Sequence, residues 1–170
     1  MFTKVDIEKY FNAEKNESLL FIIFGITAIV LALVFFFYLK TNWHKGFAVP
    51  FLIIGLLQLV VGCTVYNRTD EYRKRNVYAY DMNPDELKEK ELPRMQAVMK
   101  KFIICRYIEI AFVLIGFSLL FCFKDNPDKI FWKGFGTSLT ILALFTLSAN
   151  FFAEKRGKIY TERIKSFVNK

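Results

Sequence analysis

Residues 19–39 read LLFIIFGITAIVLALVFFFYL and contain no Asp, Glu, Lys or Arg. A helix needs ~20 mainly apolar residues to cross a bilayer, because each residue adds about 1.5 Å and the hydrocarbon core is roughly 30 Å thick. Three further stretches meet this requirement, at 47–66, 102–123 and 131–153. They are apolar on all sides rather than along one stripe, as expected of helices in lipid. The sequence therefore predicts an all-α integral membrane protein, a bundle of four transmembrane helices.

The basic residues are distributed unevenly between the two ends of these spans. Lys and Arg number three in residues 1–18, nine in 67–101 and six in 154–170, against five near the opposite ends of the spans: Lys40, Lys45, Lys124, Lys129 and Lys133. By the positive-inside rule, this 18-to-5 asymmetry predicts that both termini and the long loop are cytoplasmic, with a bacterial inner membrane as the expected location. The net charge of +8 is then a basic face toward the anionic cytoplasmic leaflet, and nucleic acid is not an expected partner.

The segments outside the spans carry helix signals of their own. Thr3 and Asp6 suggest a capping box, and residues 1–18 are predicted as a cytoplasmic interfacial helix. In the cytoplasmic loop, 67–101, Asn83 is a good N-cap and Pro84 suits the first helical position. Pro93 is expected to break that helix and to start another that runs through the third span. The tail, 154–170, alternates basic and apolar residues and is predicted as an amphipathic helix along the leaflet.

A possible internal repeat appears when the chain is shifted by 88 positions. Residues 45–75 then lie over 133–163 with nine identities in 31 positions and no gap. The spans would form two tandem hairpins, 19–66 and 102–153, related as a parallel repeat about an axis along the membrane normal. The polar matches beyond the membrane are Arg68 with Arg156, Tyr72 with Tyr160, and Arg75 with Arg163.

A few polar residues inside the spans are the strongest candidates for a functional site. Arg106 and Glu109 are the charges of the third span, and their spacing allows them to pair along one helix. Counted from the cytoplasmic end, Glu109 lies roughly 12 Å deep, at the level of Gln58 and Thr27, while Arg106 and Asn150 lie at about 7 Å. Four helices are thus predicted to bring polar groups to two adjacent layers.

Two interpretations of this polar cluster remain open. The side chains would act as polar contacts that hold the helices together, at about 0.6 kcal/mol each. Alternatively, they would form a proton- or ion-binding site of a transporter or channel, with Glu109 as the titrating group. No interrupted span of the kind found in transporters supports the second interpretation.

No catalytic or metal-binding motif accompanies these residues. The three cysteines lie within spans without metal-ligand spacing, and the single histidine lies in a short loop. We therefore expect a protein that is not an enzyme and has no cofactor.

The expected function is non-enzymatic and acts through helix–helix or tail-mediated contacts with a membrane-protein partner or a second copy. The protein would be an accessory subunit of a membrane assembly, or a protector against a membrane-active toxin. In size and span number it resembles the small four-span immunity proteins of pore-forming bacteriocins, which is a likeness of architecture alone. The alternative is a small oligomeric ion, proton or solute transporter or channel.

Overall fold

A computed structural model describes residues 2–168, which form long helices joined by short turns. Within these residues four helices are long and apolar enough to cross a membrane, so the predicted all-helical fold with four candidate spans is confirmed. The elements in chain order are α1 (Lys4–Leu33) with a π-helical end (Val34–Leu39), α2 (Asn42–Met82), the short α3 (Pro84–Glu86), a π-helical turn (Leu87–Glu91), α4 (Leu92–Cys122), a 3-10 turn (Pro127–Lys129) and α5 (Ile130–Val168).

The helices are much longer than a bilayer requires. The four continuous helical segments have 36, 41, 39 and 42 residues, whereas a span needs ~20. The predicted interfacial helix, 1–18, continues into α1, and the predicted tail helix, 154–170, is the end of α5; residues 1, 169 and 170 lie outside the described range. Both segments therefore extend their spans. Their apolar sides pack on each other, as shown below.

Close backbone approach at small residues joins the helices of each hairpin. A Cβ added to Gly25 of α1 would lie 2.8 Å from the carbonyl oxygen of Gly55 in α2. In the other hairpin, Gly116 of α4 lies against Gly136 and Thr140 of α5. Small residues permit such contacts in lipid, where apolar side chains gain little by leaving the bilayer for a protein neighbour.

The two hairpins meet through α2 and α5. Of the most apolar 18-residue window in each helix, 28% is buried in α2 and 33% in α5, against 17% in α1 and 11% in α4, so α2 and α5 are the inner helices. At the end with the short loops, Gly46 packs on the backbone of Phe131, and Gly134 packs on the backbone of Trp43. Deeper in the membrane part, an apolar cluster continues this contact, with Ile54, Leu139 and Leu142 buried beside Phe24, Phe51 and Phe135.

The charged ends of the same helices form a second core, here called the extramembrane bundle (residues 2–18, 67–101 and 154–168). Phe11, Ile7, Leu87, Met95 and Ile164 are among its fully buried side chains. Tyr10 of α1 stacks on Tyr160 of α5 with ring centroids 4.1 Å apart. The cluster joins all four long helices, and its buried members are Phe2, Ile7, Tyr10, Phe11, Ala79, Leu87, Met95, Tyr160 and Ile164.

The local helix signals are partly confirmed. The capping box at Thr3 and Asp6 is present, with the Thr3 amide donating to Asp6 Oδ2 at 3.0 Å. Pro84 opens α3 after Asn83, and α4 covers the helix predicted from Pro93. The break expected at Pro93 is instead a π-helical turn, Leu87–Glu91, that leads directly into α4. A wider turn accommodates the proline because proline cannot supply the backbone hydrogen bond of a regular turn.

Candidate functional site

Two facing helices build a polar cluster inside the membrane part. Arg106 and Glu109 lie on α4, and Asn150 and Glu154 lie on α5, at spacings of three and four residues that keep each pair on one helix face. Asn150 Nδ2 donates to Glu109 Oε1 at 2.5 Å. Arg106 donates to Glu154 in an ion pair. The cluster is therefore a cross-helix arrangement rather than a pairing along α4.

The structure gathers only part of the set that the sequence suggested. Arg106 pairs with Glu154 rather than with Glu109, because Glu154 faces it from the neighbouring helix. Thr27 is exposed and donates to the Ile23 carbonyl of its own helix at 2.8 Å. Gln58 is buried, and neither amide atom has a hydrogen-bond partner in the described part of the chain. Of the four helices predicted to bring polar groups together, α4 and α5 do so.

A groove of about 430 Å³ runs beside this cluster between α4 and α5. Phe151 and Phe152 are 60% and 65% exposed, so the groove opens outward from the bundle. In the membrane this opening would face lipid. Its lining consists of Phe102, Arg106, Glu109, Ile110, Leu147, Ser148, Asn150, Phe151, Phe152 and Glu154.

Glu109 is the least satisfied group at the groove. Its side chain is 8% exposed, and Oε2 has no hydrogen-bond partner among the described residues. The groove lining holds two carboxylates, Glu109 and Glu154, against one guanidinium, Arg106. Arg106 pairs with Glu154, and Asn150 donates to Glu109 Oε1. The Thr146 hydroxyl lies close to the Glu109 carboxyl group but donates to the backbone carbonyls of its own helix. The groove therefore has a surplus of negative charge and a free acceptor.

The extramembrane bundle contains a second charged cluster around Tyr72. Three guanidinium groups lie over its ring. Their Cζ atoms are 4.8 Å (Arg75), 4.9 Å (Arg94) and 5.8 Å (Arg68) from the ring centroid. Glu91 is fully buried and accepts two hydrogen bonds from Arg94, at 2.8 and 2.6 Å. Such a bidentate pair has fixed geometry as well as charge. This cluster is consequently a partly buried element of the bundle's packing, with Glu91 at its buried centre.

The other repeat-related positions also lie in the extramembrane bundle, but their contacts differ. Arg156 pairs with Glu17, and Arg163 pairs with Asp6, so the arginines of α5 hold α1. Tyr160 stacks on Tyr10, whereas Tyr72 is covered by guanidinium groups. The matched residues thus serve one bundle through different partners.

Burial shifts the acid–base properties of the extramembrane bundle. Desolvation raises the pKa of Glu14, although Arg94 and Arg68 oppose the shift and Thr69 donates to Glu14 Oε2 at 3.3 Å. Desolvation likewise raises the pKa of Tyr10 and of Tyr160. For Arg94, burial favours the neutral form, but the hydrogen bonds to Glu91 outweigh it and raise the pKa. The arginine therefore stays charged inside the bundle.

The remaining candidates are three cysteines and one histidine. Cys63, Cys105 and Cys122 are free thiols on exposed helix faces. Within residues 2–168 no group of His, Cys, Asp and Glu side chains is arranged to hold a metal ion. The backbone amide of His44 donates a hydrogen bond to the Thr41 hydroxyl, which caps the start of α2.

Sequence reasoning missed two residues of the charged clusters. Glu154 was assigned to the tail, yet it lies four residues after Asn150 and thus on the same face of α5. Glu91 lies within the predicted cytoplasmic loop, 67–101, and its burial depends on how α4 packs. Comparison with protein-family profiles, with curated proteins and with solved structures finds no match to this chain.

Proposed function

We propose that this is a non-enzymatic membrane protein that binds a membrane-embedded segment of a partner in the groove between α4 and α5. The observation that carries the proposal is the position of the polar cluster, which lines an outward-facing groove between α5 and α4, the least buried of the four long helices. Polar groups facing lipid are costly unless something covers them. A partner helix would both bury the apolar rim and meet the polar groups.

Such a protein would serve as an accessory subunit of a membrane assembly or as an immunity-like protector against a membrane-active toxin. Both roles require lateral recognition within the bilayer and no chemical conversion. The 18-to-5 asymmetry of basic residues supports a cytoplasmic extramembrane bundle near the anionic leaflet. Reporter fusions at the C-terminus and in the loop at Trp43 should then report opposite sides of the membrane.

A two-hairpin origin of the membrane part is a further element of the proposal. Gly46 packs on Phe131, and Gly134 packs on Trp43. These contacts exchange under the same 88-residue shift that aligns the sequence, since 46 and 43 become 134 and 131. Reciprocal contacts of this kind are what a two-fold axis between duplicated units produces.

The second candidate is a transporter or channel in which Glu109 binds a proton or cation. The free Oε2 of a buried carboxylate favours it. Against it, neither Thr27 nor Gln58 forms a hydrogen bond with Glu109, and the polar groups that do interact line a groove on one side of the described bundle.

Photocrosslinking in native membranes tests the binding function. A photoreactive side chain at Phe151, in the groove, should give one discrete adduct with a membrane protein or membrane-active peptide. The matched control is Leu57, which is equally exposed at 60% but lies on α2 outside the groove. Lipid adducts alone at both positions would contradict the proposal. In reconstituted vesicles we expect proton flux at the level of empty vesicles, and a flux abolished by Glu109→Gln would favour the transporter instead.

A further inference from the structure

The charge of the groove specifies the chemistry of its occupant. Two carboxylates face one guanidinium, and the Arg106–Glu154 ion pair leaves Glu109 without a cationic partner. Its Oε2 is buried and has no donor among residues 2–168. A buried acceptor that lacks a donor is destabilising, and the loss is greater when the group is charged. The groove is thus complementary to a group that brings a positive charge and a hydrogen-bond donor.

The apolar lining restricts the shape of that group. Phe102, Phe151 and Phe152 line the groove together with Ile110 and Leu147. Aliphatic stems of Lys and Arg pack on such surfaces, and aromatic faces attract the charged heads. A compact inorganic cation would leave the apolar lining uncovered, whereas a basic side chain on a helix would fill both parts.

We infer that the groove selects a partner transmembrane helix that carries one Lys or Arg side chain at the depth of Glu109. This inference rests on the proposed function and adds the chemistry of the partner. Glu109 lies roughly 12 Å, about eight helical residues, inside the end that bears the extramembrane bundle. The basic residue of the partner lies correspondingly about two turns inside its own span. Its ammonium or guanidinium group meets Glu109, and its stem lies along the phenylalanine side chains.

Synthetic helices provide the probe. The full chain, with a donor dye on a C-terminal tag, is reconstituted in phosphatidylcholine vesicles with acceptor-labelled Leu/Ala helices of about 22 residues. The helices carry Lys, Leu or Glu about eight residues from one end. Energy transfer should show the Lys helix binding at least about tenfold more tightly than the Leu helix, a factor equivalent to about 1.4 kcal/mol. The Glu helix should bind less tightly than the Leu helix.

Variants of Glu109 test whether its carboxylate causes the preference for the Lys helix over the Leu helix. Glu109→Gln should reduce the preference for Lys to less than about twofold, while Glu109→Asp should retain most of it. The control is Glu71→Gln, an exposed carboxylate of the extramembrane bundle, which should leave the preference intact. If Glu109→Gln lowers the melting temperature, Phe151→Arg provides the second test. It places a cation in the groove within the chain itself and should prevent binding of the Lys helix in a protein that still melts normally.

The outcomes separate this inference from the function on which it rests. Equal binding of Lys and Leu helices, or a Lys preference that survives Glu109→Gln, overturns the charge selection. An adduct at Phe151 would then still support the groove as a binding site. Loss of the adduct together with loss of helix binding overturns both. Repeating the measurement with phosphatidylethanolamine identifies a lipid amine as the occupant if this lipid abolishes binding of the Lys helix, and that result also overturns the inference.

Discussion

The membrane part and the extramembrane bundle are built from the same four long helices, yet different forces hold them. In the membrane part the closest contacts are backbone approaches at Gly25, Gly46, Gly116 and Gly134, and beside one small apolar cluster many large apolar side chains point outward. In the extramembrane bundle large side chains point inward, and Ile7, for example, has no exposed surface. The hydrophobic effect drives association only where water is the alternative. A single helix can therefore pack through small residues in one part of its length and through large buried side chains in another.

The largest expected effect comes from the buried charge of the extramembrane bundle. Glu91→Gln leaves Arg94 inside the bundle without its carboxylate, and losing one partner of a buried pair costs about 3–5 kcal/mol. Melting in a mild detergent should show a large loss of stability, whereas Glu91→Met combined with Arg94→Met should lose much less. Glu86→Gln is the control, since Glu86 pairs with a mostly exposed Lys90 and should contribute less than about 1 kcal/mol. A mild effect of Glu91→Gln would contradict the burial of this pair.

The second effect compares apolar side chains in the two regions. Ile164→Ala removes a fully buried side chain from the extramembrane bundle and should destabilise it by about 2–5 kcal/mol. Leu57→Ala removes a side chain that is 60% exposed in the membrane part, and we expect a change below about 0.5 kcal/mol. The same detergent melts measure both. Equal losses would mean that the two regions do not differ in what drives their packing.

For glycine substitutions we expect the larger loss of stability in the membrane part and the smaller one in the extramembrane bundle. An alanine Cβ at Gly46 would overlap the backbone of Phe131, so Gly46→Ala should cost about 1–3 kcal/mol. At Gly157, in the extramembrane bundle, a Cβ would lie 3.3 Å from Met99 Sδ, a flexible side chain. Gly157→Ala should be neutral or stabilise α5 by up to about 1 kcal/mol through helix propensity. A harmless Gly46→Ala would show that the hairpins do not meet at this position.

The smallest effect is the pH dependence from Glu14. Because burial raises its pKa, the folded protein binds a proton more readily than the unfolded chain. This contribution to stability is present below the unfolded pKa and is lost as the pH rises through the higher folded value. Glu14→Gln mimics the protonated acid and should stabilise the protein slightly at neutral pH. Melting temperatures of both proteins from pH 3 to 7 should converge at the acidic end; a constant difference would assign the effect to something other than titration.

The sequence predicted those features that depend on local composition. Apolar length located the spans, and Asn83 with Pro84 located the start of α3, because each signal lies within one segment. The partner of Arg106 depends instead on how α4 faces α5, and the sequence offered a nearer candidate in Glu109. The course of residues 2–18 and 154–168 also depends on packing. Tyr10 and Tyr160 are 150 positions apart in the sequence, and their stacking buries the apolar sides of the two segments against each other.

The uninterrupted course of α5 has a mechanical consequence. This helix carries Asn150 of the groove and, about 21 Å further along, Ile164 of the extramembrane core. If α5 moves as one body, a tilt of about 10° at the groove displaces Ile164 by about 3.6 Å, more than half the pitch of a helix. An occupant that shifts Asn150 therefore strains the aromatic packing beyond the bilayer. Because α5 is continuous, a movement of its membrane part would be transmitted to its extramembrane end.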